Sequence, residues 1–236
     1  GRGARVARAS DAQRRLMVRA AASRTGDAIR RRLTVLLALA AVSVGCAPRA
    51  RPLTGIPFPQ RLPETTLPPG HTRLVFRWEY GDPIFSARGE GVARIAPPDS
   101  VRLDFFADGN LGGGFAILIG DRLTTPANDE AVRYLPPVPL LWAALGRLRV
   151  VGVDTVALVA GDTLRADIGR SPVWRAAFSG TSLVSLQRLD GNRLRESVQR
   201  DSAVISYRNF GSRRRLTLTL LRRLVDPPFD EAIWHR

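Results

Sequence analysis

From His71 onward, apolar and polar residues alternate with a period of two. Leu74, Phe76, Trp78 and Tyr80 fall on one side of that alternation, and Arg73, Val75, Arg77 and Glu79 on the other. Successive side chains of a strand point to opposite faces, so the run predicts a strand with one apolar and one mostly charged face. The same reading predicts strands over 89–95, 101–105, 115–119, 122–125 and 130–135. It resumes over 156–159, 164–168, 173–178, 183–189, 194–198, 203–207 and 216–220. Pro97-Pro98-Asp99, Gly120-Asp121 and Gly161-Asp162 read as turns between them, and Asp190-Gly191-Asn192 is a strong hairpin signal.

One segment breaks this rhythm. Leu141, Leu145 and Leu148 recur at i, i+4 and i+7, with Trp142 beside them, after Pro136, Pro137 and Pro139. That spacing gives one apolar face of a helix over 140–148, and prolines are tolerated ahead of and within a first helical turn. About ten or eleven short strands with tight turns and one inserted helix predict a mainly β fold, an antiparallel sheet or half-open barrel. Residues 47–70 differ again, with Pro48, Pro52, Pro57, Pro59, Pro63, Pro68 and Pro69. Proline removes backbone donors and fixes φ, so this stretch is expected to be an unpaired tether.

Composition changes the picture at the N-terminus. The formal net charge is +15, but residues 1–45 hold ten Arg and two Asp, which leaves +7 on residues 46–236. Every basic residue is Arg, and acids are interleaved with them along the later part. A solvated face, or weak attraction to anionic head groups, fits this better than a nucleic-acid footprint. Arg213–Arg215 and Arg222-Arg223 bracket the last strand, where charge commonly guards a sheet edge.

Arg30–Arg32 precede the apolar run 33–45, and Cys46, the only cysteine, follows it. A positive stretch, a short apolar stretch and small residues before a cut form the layout of an export signal. The run is thirteen residues long, against roughly 20 for a spanning helix. An ordinary signal cut nearby and an uncleaved anchor are the alternatives. Val44-Gly45-Cys46 resembles the lipobox of bacterial lipoproteins, although Ser43 stands where that family carries a Leu-like residue. The resemblance implies cleavage before Cys46, acylation of its thiol and membrane anchoring through it. Ala47 behind it favours the periplasmic face of the outer membrane. Met17 is the only methionine and a candidate start, which makes 1–16 candidate untranslated sequence. Arg31-Arg32 leaves the export route open, general secretory or twin-arginine.

Catalytic chemistry has little to stand on. His71 and His235 lie far apart in sequence without clustered cysteines, which does not make a metal site. The chain has no Gly-x-Ser-x-Gly elbow and no phosphate loop. Asp162 and Asp190 occupy turns, and Gly89-Glu90-Gly91 reads as a permissive strand end. No cofactor, metal or nucleic-acid partner is expected.

Three stretches resemble the LolA/LolB-like lipoprotein carriers and receptors: Gly91–Phe105 as strand, Pro-Asp turn and strand; Asn110-Leu111-Gly112 with 115–119; and the proline-led helix Pro137–Gly146. The likeness spans about 72–225. It implies a half-open antiparallel barrel around a helix, with an apolar cavity for acyl chains of lipids or lipoproteins and a periplasmic carrier as delivery partner. Leu111 matches the exposed apolar residue of the receptor's membrane-contact loop, without the proline usual between Asn and Leu. Phe76, Trp78, Phe105, Phe115 and Ile117 are wall candidates, and Leu141, Trp142, Leu145 and Leu148 plug candidates. The alternatives are that these residues fill a closed core, and that the same fold binds a protein partner in a structural or sensory role. The domain expectation is a signal segment over 1–45, lipidated Cys46 and tether over 46–70, and barrel over 71–236.

Overall fold

The computed structural model describes residues 48–109, 112–126, 134–150, 152 and 154–235. Its strands are β1 (Ile56–Pro57), β2 (His71–Gly81), β3 (Ser86–Ala96), β4 (Ser100–Ala107), β5 (Gly113–Ile119) and β6 (Arg122–Thr124), followed by helix α1 (Val138–Ala144). The second half holds β7 (Thr155–Ala160), β8 (Thr163–Ile168), β9 (Val173–Ser179), β10 (Ser182–Asp190), β11 (Arg193–Asp201), β12 (Val204–Asn209) and β13 (Arg214–Asp226), then a 3-10 turn at Glu231–Trp234. Among the described residues these strands form one 13-stranded sheet in the order β1-β7-β8-β9-β10-β11-β12-β13-β2-β3-β4-β5-β6. Each neighbouring pair is antiparallel, and the two edge strands, β1 and β6, are not paired with each other. The fold is therefore the half-open antiparallel barrel with an inserted helix that the alternation predicts.

Its seam is the β13–β2 pairing, which runs from Arg215 opposite Gly81 to Asp226 opposite His71. Phe76, Trp78 and Tyr80 of β2 are buried, as the period-two reading requires. They join Ala93, Ile95, Val101 and Leu103 on one apolar face with Leu140, Leu141 and Trp142. Close backbone approach explains two glycines read from sequence as a loose strand end. Both lie inside β3, where a Cβ on Gly91 would meet the Phe76 ring at 2.5 Å and one on Gly89 would run into the Phe106 carbonyl oxygen.

Helix α1 is shorter than the expected 140–148. Leu145 is its C-cap and Gly146 takes φ 89°, the left-handed conformation that ends helices and suits glycine. The strand expected over 130–135 falls mainly on residues outside the described ones, and Tyr134 and Leu135 are not in a strand.

The proline-rich segment corrects the tether expectation. Its described part, from Pro48, is strapped onto the sheet. Leu194 N–H donates to the Pro48 carbonyl at 2.9 Å, and Ala50 N–H donates to Asn192 O at 2.8 Å. Arg175 Nη1 donates to Arg51 O. Ile56 and Pro57 pair with Val159 and Leu158 as edge strand β1, a position where proline costs no ladder bond. Thr65 Oγ1 then accepts from Leu148 N–H, and Leu67 is 5% exposed within the core. Apolar burial and carbonyl acceptors hold this stretch where its own donors are few.

Candidate functional site

The interior of the curved sheet is the site to which the sequence reading points. Phe76 and Trp78 from β2 meet Phe105 from β4 edge to face, with ring centroids 5.8 and 6.2 Å apart. Trp78 satisfies its indole by donating to Glu90 O at 3.0 Å. Leu141 of α1 faces the same space. Phe76, Phe105, Leu141, Ala144, Val198 and Tyr207 are among the residues around a cavity of about 30 Å³. That volume holds one water-sized body, since about 10–15 Å³ suffices for a water. This pocket is apolar and small.

Other candidates are placed differently. Trp142 is fully buried, but its Nε1 donates to Gly120 O at 2.8 Å. Arg147 and Arg149 stack over its ring at 5.2 and 5.8 Å. It fastens α1 to the β5–β6 turn and does not line the cavity. Leu145 and Leu148 are half-buried against the core beyond the end of the helix. Phe115 and Ile117 require a correction. Register puts Ala116 opposite Leu103, so Phe115 and Ile117 stand opposite Asp104 and Arg102 on the outer face. The Arg102 guanidinium covers the Phe115 ring at 4.4 Å. Leu111 and Cys46 lie outside the described residues.

The structure also assembles groups that sequence reasoning did not bring together. Asp82 Oδ1 accepts from the backbone N–H groups of Ile84 and Phe85 at 2.9 and 2.8 Å, and its Oδ2 accepts from Tyr80 Oη at 2.8 Å. The Ile84 amide, then the Tyr80 hydroxyl, hold the Asp82 carboxyl below its ordinary value. This built turn leaves Ile84 95% exposed, while Phe85 packs on Tyr80 and Tyr134. The Asp-Pro pair signals a turn, but nothing in the sequence marks Ile84 as its tip.

A second group surrounds Glu196, which is 4% exposed. Tyr207 Oη and Asn209 Nδ2 donate to its Oε1 at 2.7 and 3.1 Å, and Arg188 Nη1 donates to Oε2 at 2.9 Å. Burial, then the bond to Glu196, push the Tyr207 phenol above its ordinary value. The register Arg188↔Glu196↔Asn209 joins these residues across three strands. A third feature is a groove of about 620 Å³ between the strap and the outer face of β8–β11, lined in part by Arg49, Arg51, Arg165 and Arg175. Arg175 is neutralised there by a two-pronged pair with Asp167, both bonds at 2.7 Å. Among the described residues, no group of three or more His, Cys, Asp or Glu could hold a metal ion, and no helix is long and apolar enough to cross a membrane.

No protein-family model matches the chain, and no curated protein matches it. Solved structures similar to it include a LolA superfamily protein from Nitrosomonas europaea, at 10% identity over 72% of this chain and 92% of that one, with a TM-score of 0.46. A putative outer membrane lipoprotein-sorting protein domain from Vibrio parahaemolyticus follows, at 5% identity, 70% and 89% coverage and a TM-score of 0.40. A DUF1329 family protein from Desulfovibrio piger gives 8% identity, 70% and 89% coverage and a TM-score of 0.35.

Proposed function

We propose that this protein is a non-enzymatic envelope lipoprotein, acylated at Cys46 and held at the periplasmic face of the outer membrane. Its domain takes an acyl chain, of a lipid or of another lipoprotein, into the apolar interior. The observation that carries this reading is how the interior is closed. A sheet opens only by breaking ladder hydrogen bonds. Among the described residues, β1 and β6 are unpaired with each other. Helix α1 packs against β10 and β11 and reaches the β5–β6 turn through Trp142. Displacing α1 for an acyl chain exchanges one apolar contact for another, at about 0.8 kcal/mol per methylene buried. A carrier needs that near balance in order both to load and to release.

One observation favours a second reading, a structural or sensory lipoprotein that binds a protein partner. The apolar pocket beside Phe105 and Leu141 holds about 30 Å³, whereas ligand pockets run to about 300–1,000 Å³. Titration of the exported, membrane-extracted protein with a fluorescent fatty-acyl probe decides between them. Saturable binding, weakened by Ala144→Leu at the cavity wall, is the expected result. A folded protein that binds no probe overturns the acyl reading and leaves the partner reading in its place.

A further inference from the structure

We infer that one rim of the sheet, the rim carrying the β10–β11 turn, faces the membrane, with Ile84 as an apolar tip that enters an anionic phospholipid surface. This rests on the reading that Cys46 is acylated, and it adds an orientation and a contact residue to that reading.

The strand register defines the rim. Glu196 pairs with Asn209, Asn209 with Arg214, Arg215 with Gly81, Gly81 with Ser86, and Gly89 with Ala107. The β10–β11, β12–β13 and β2–β3 turns and the β4–β5 connection therefore leave the sheet at the same end. The β4–β5 connection carries Leu111 in sequence.

The strap sets where the chain enters this rim. Pro48 and Ala50 are hydrogen-bonded to Leu194 and Asn192, and Arg49 bridges Arg193. Cys46 is two residues upstream of Pro48, and two residues of extended chain reach no further than about 7 Å. A lipid on Cys46 thus emerges beside the β10–β11 turn. A free tether of some twenty residues would let the domain tumble, and the strap removes that freedom.

Two further observations agree. Ile84 is 95% exposed, and the Asp82 bonds to the Ile84 and Phe85 amides hold it there. A large apolar side chain fixed outward on a turn gains by burial in lipid. The charges of the turns also differ between the two rims. Exposed Arg193, Arg213 and Arg215 stand at the near rim, where cations are drawn to anionic head groups. Of the aspartates at this rim, Asp108 pairs with Arg88 and Asp190 with Arg195, and Asp82 accepts from the Tyr80 hydroxyl and the Ile84 and Phe85 amides. The turns of the far rim hold Asp162 and, paired with Arg149, Asp99 and Asp121, with exposed Arg122 at the start of β6 and Asp201 beside the β11–β12 turn. Val225 and Ile56, 85% and 77% exposed near the far rim, are the competing apolar contacts.

The test uses the full chain, exported and lipidated in a bacterial host and reconstituted into phosphatidylglycerol–phosphatidylethanolamine vesicles. An acylated Cys46 leaves no native thiol, so Ile84→Cys, Asn192→Cys, Asp162→Cys and Val225→Cys variants each take one polarity-sensitive dye. The expected result is a blue shift and quenching by lipid-borne nitroxide at positions 84 and 192, with quenching by aqueous iodide alone at 162 and 225. A protein that floats with vesicles while all four dyes respond alike overturns the rim assignment and leaves the anchor standing. A lipid signal at 225 also overturns it. If the chain does not float and the Cys46 thiol titrates, the anchor reading fails. The rim is then judged by adding vesicles to the variants with Cys46→Ser: a shift at position 84 alone upholds it, and no shift there ends it.

Discussion

Trp142 Nε1 donates to the carbonyl oxygen of Gly120, and the bond ties α1 to the β5–β6 turn. Arg149, stacked over the same indole, also pairs with Asp121 at 2.8 Å and Asp99 at 3.3 Å. The C-terminal end of α1 is thereby bolted to two turns of the far rim, whereas Leu141, one residue earlier, faces the residual cavity.

Trp142→Phe keeps an aromatic ring and removes the donor. Losing a buried hydrogen bond with some packing costs about 1–3 kcal/mol. Urea unfolding of the variant should show a lower midpoint with an unchanged slope. An unchanged midpoint would mean that the Gly120 bond does not hold the helix.

The Glu196 cluster predicts a graded response. Glu196→Ala leaves Tyr207 and Asn209 without their shared acceptor while Arg188, 44% exposed, can turn to water, and an unmatched buried donor costs about 1–3 kcal/mol. Glu196→Gln keeps an acceptor for Tyr207 and loses the charge that meets Arg188, so its loss is smaller. Equal losses in the two variants, measured by denaturant unfolding, would rule out a role for the charge.

Legibility from sequence followed the strength of the alternation. Leu74 to Tyr80 alternate cleanly, and β2 buries the face they mark. The Asp190-Gly191-Asn192 turn stands where its residues place it, between β10 and β11. Phe115-Ala-Ile-Leu-Ile119 is continuously apolar, so no period tells which face turns inward, and a one-residue choice sends every side chain to the other side. The Leu141, Leu145 and Leu148 spacing marked a helix, but Gly146 stops it before the third leucine. The strap was hidden because proline-rich chain shows no period, and its docking depends on strands far along the sequence. The Glu196 network and the Ile84 turn arise from strand register and side-chain bonds to the backbone, neither of which a single chain displays.

Tyr80 and Asp82 predict opposite pH limits for one turn. The Ile84 amide and the Tyr80 hydroxyl depress the Asp82 carboxyl, so the contribution of this turn is present above the unfolded value near 4 and is lost as pH falls through the depressed folded value. Burial, then the bond to Asp82, push Tyr80 up to about 12. Its contribution is complete below the unfolded value near 10 and is lost as pH rises from there through about 12. The amide shifts of Ile84 and Phe85 should titrate with a midpoint below 3.8. Tyr80→Phe should flatten the alkaline loss of stability. An amide midpoint at or above the ordinary carboxylate value would show that the turn is not built as described.

The strap yields the last prediction. Leu67 is 5% exposed and belongs to the same core cluster as Phe76 and Trp142. A residue in a solvated tether is indifferent to truncation, whereas a buried leucine cut to alanine loses its transfer energy and leaves a void, for about 2–5 kcal/mol. Leu67→Ala should therefore lower the unfolding midpoint, and Leu53→Ala, half-buried in an otherwise exposed stretch along the arginine groove, should do so less. Proteolysis gives the independent check. Cleavage in 48–70 should require unfolding of the domain and slow in step with its stability, because the backbone there is held by Leu194, Asn192 and the edge of β7. Rapid cleavage of this segment in an otherwise folded protein, with Leu67→Ala without effect, would return it to the role of a tether and remove the geometric basis for a membrane-facing rim.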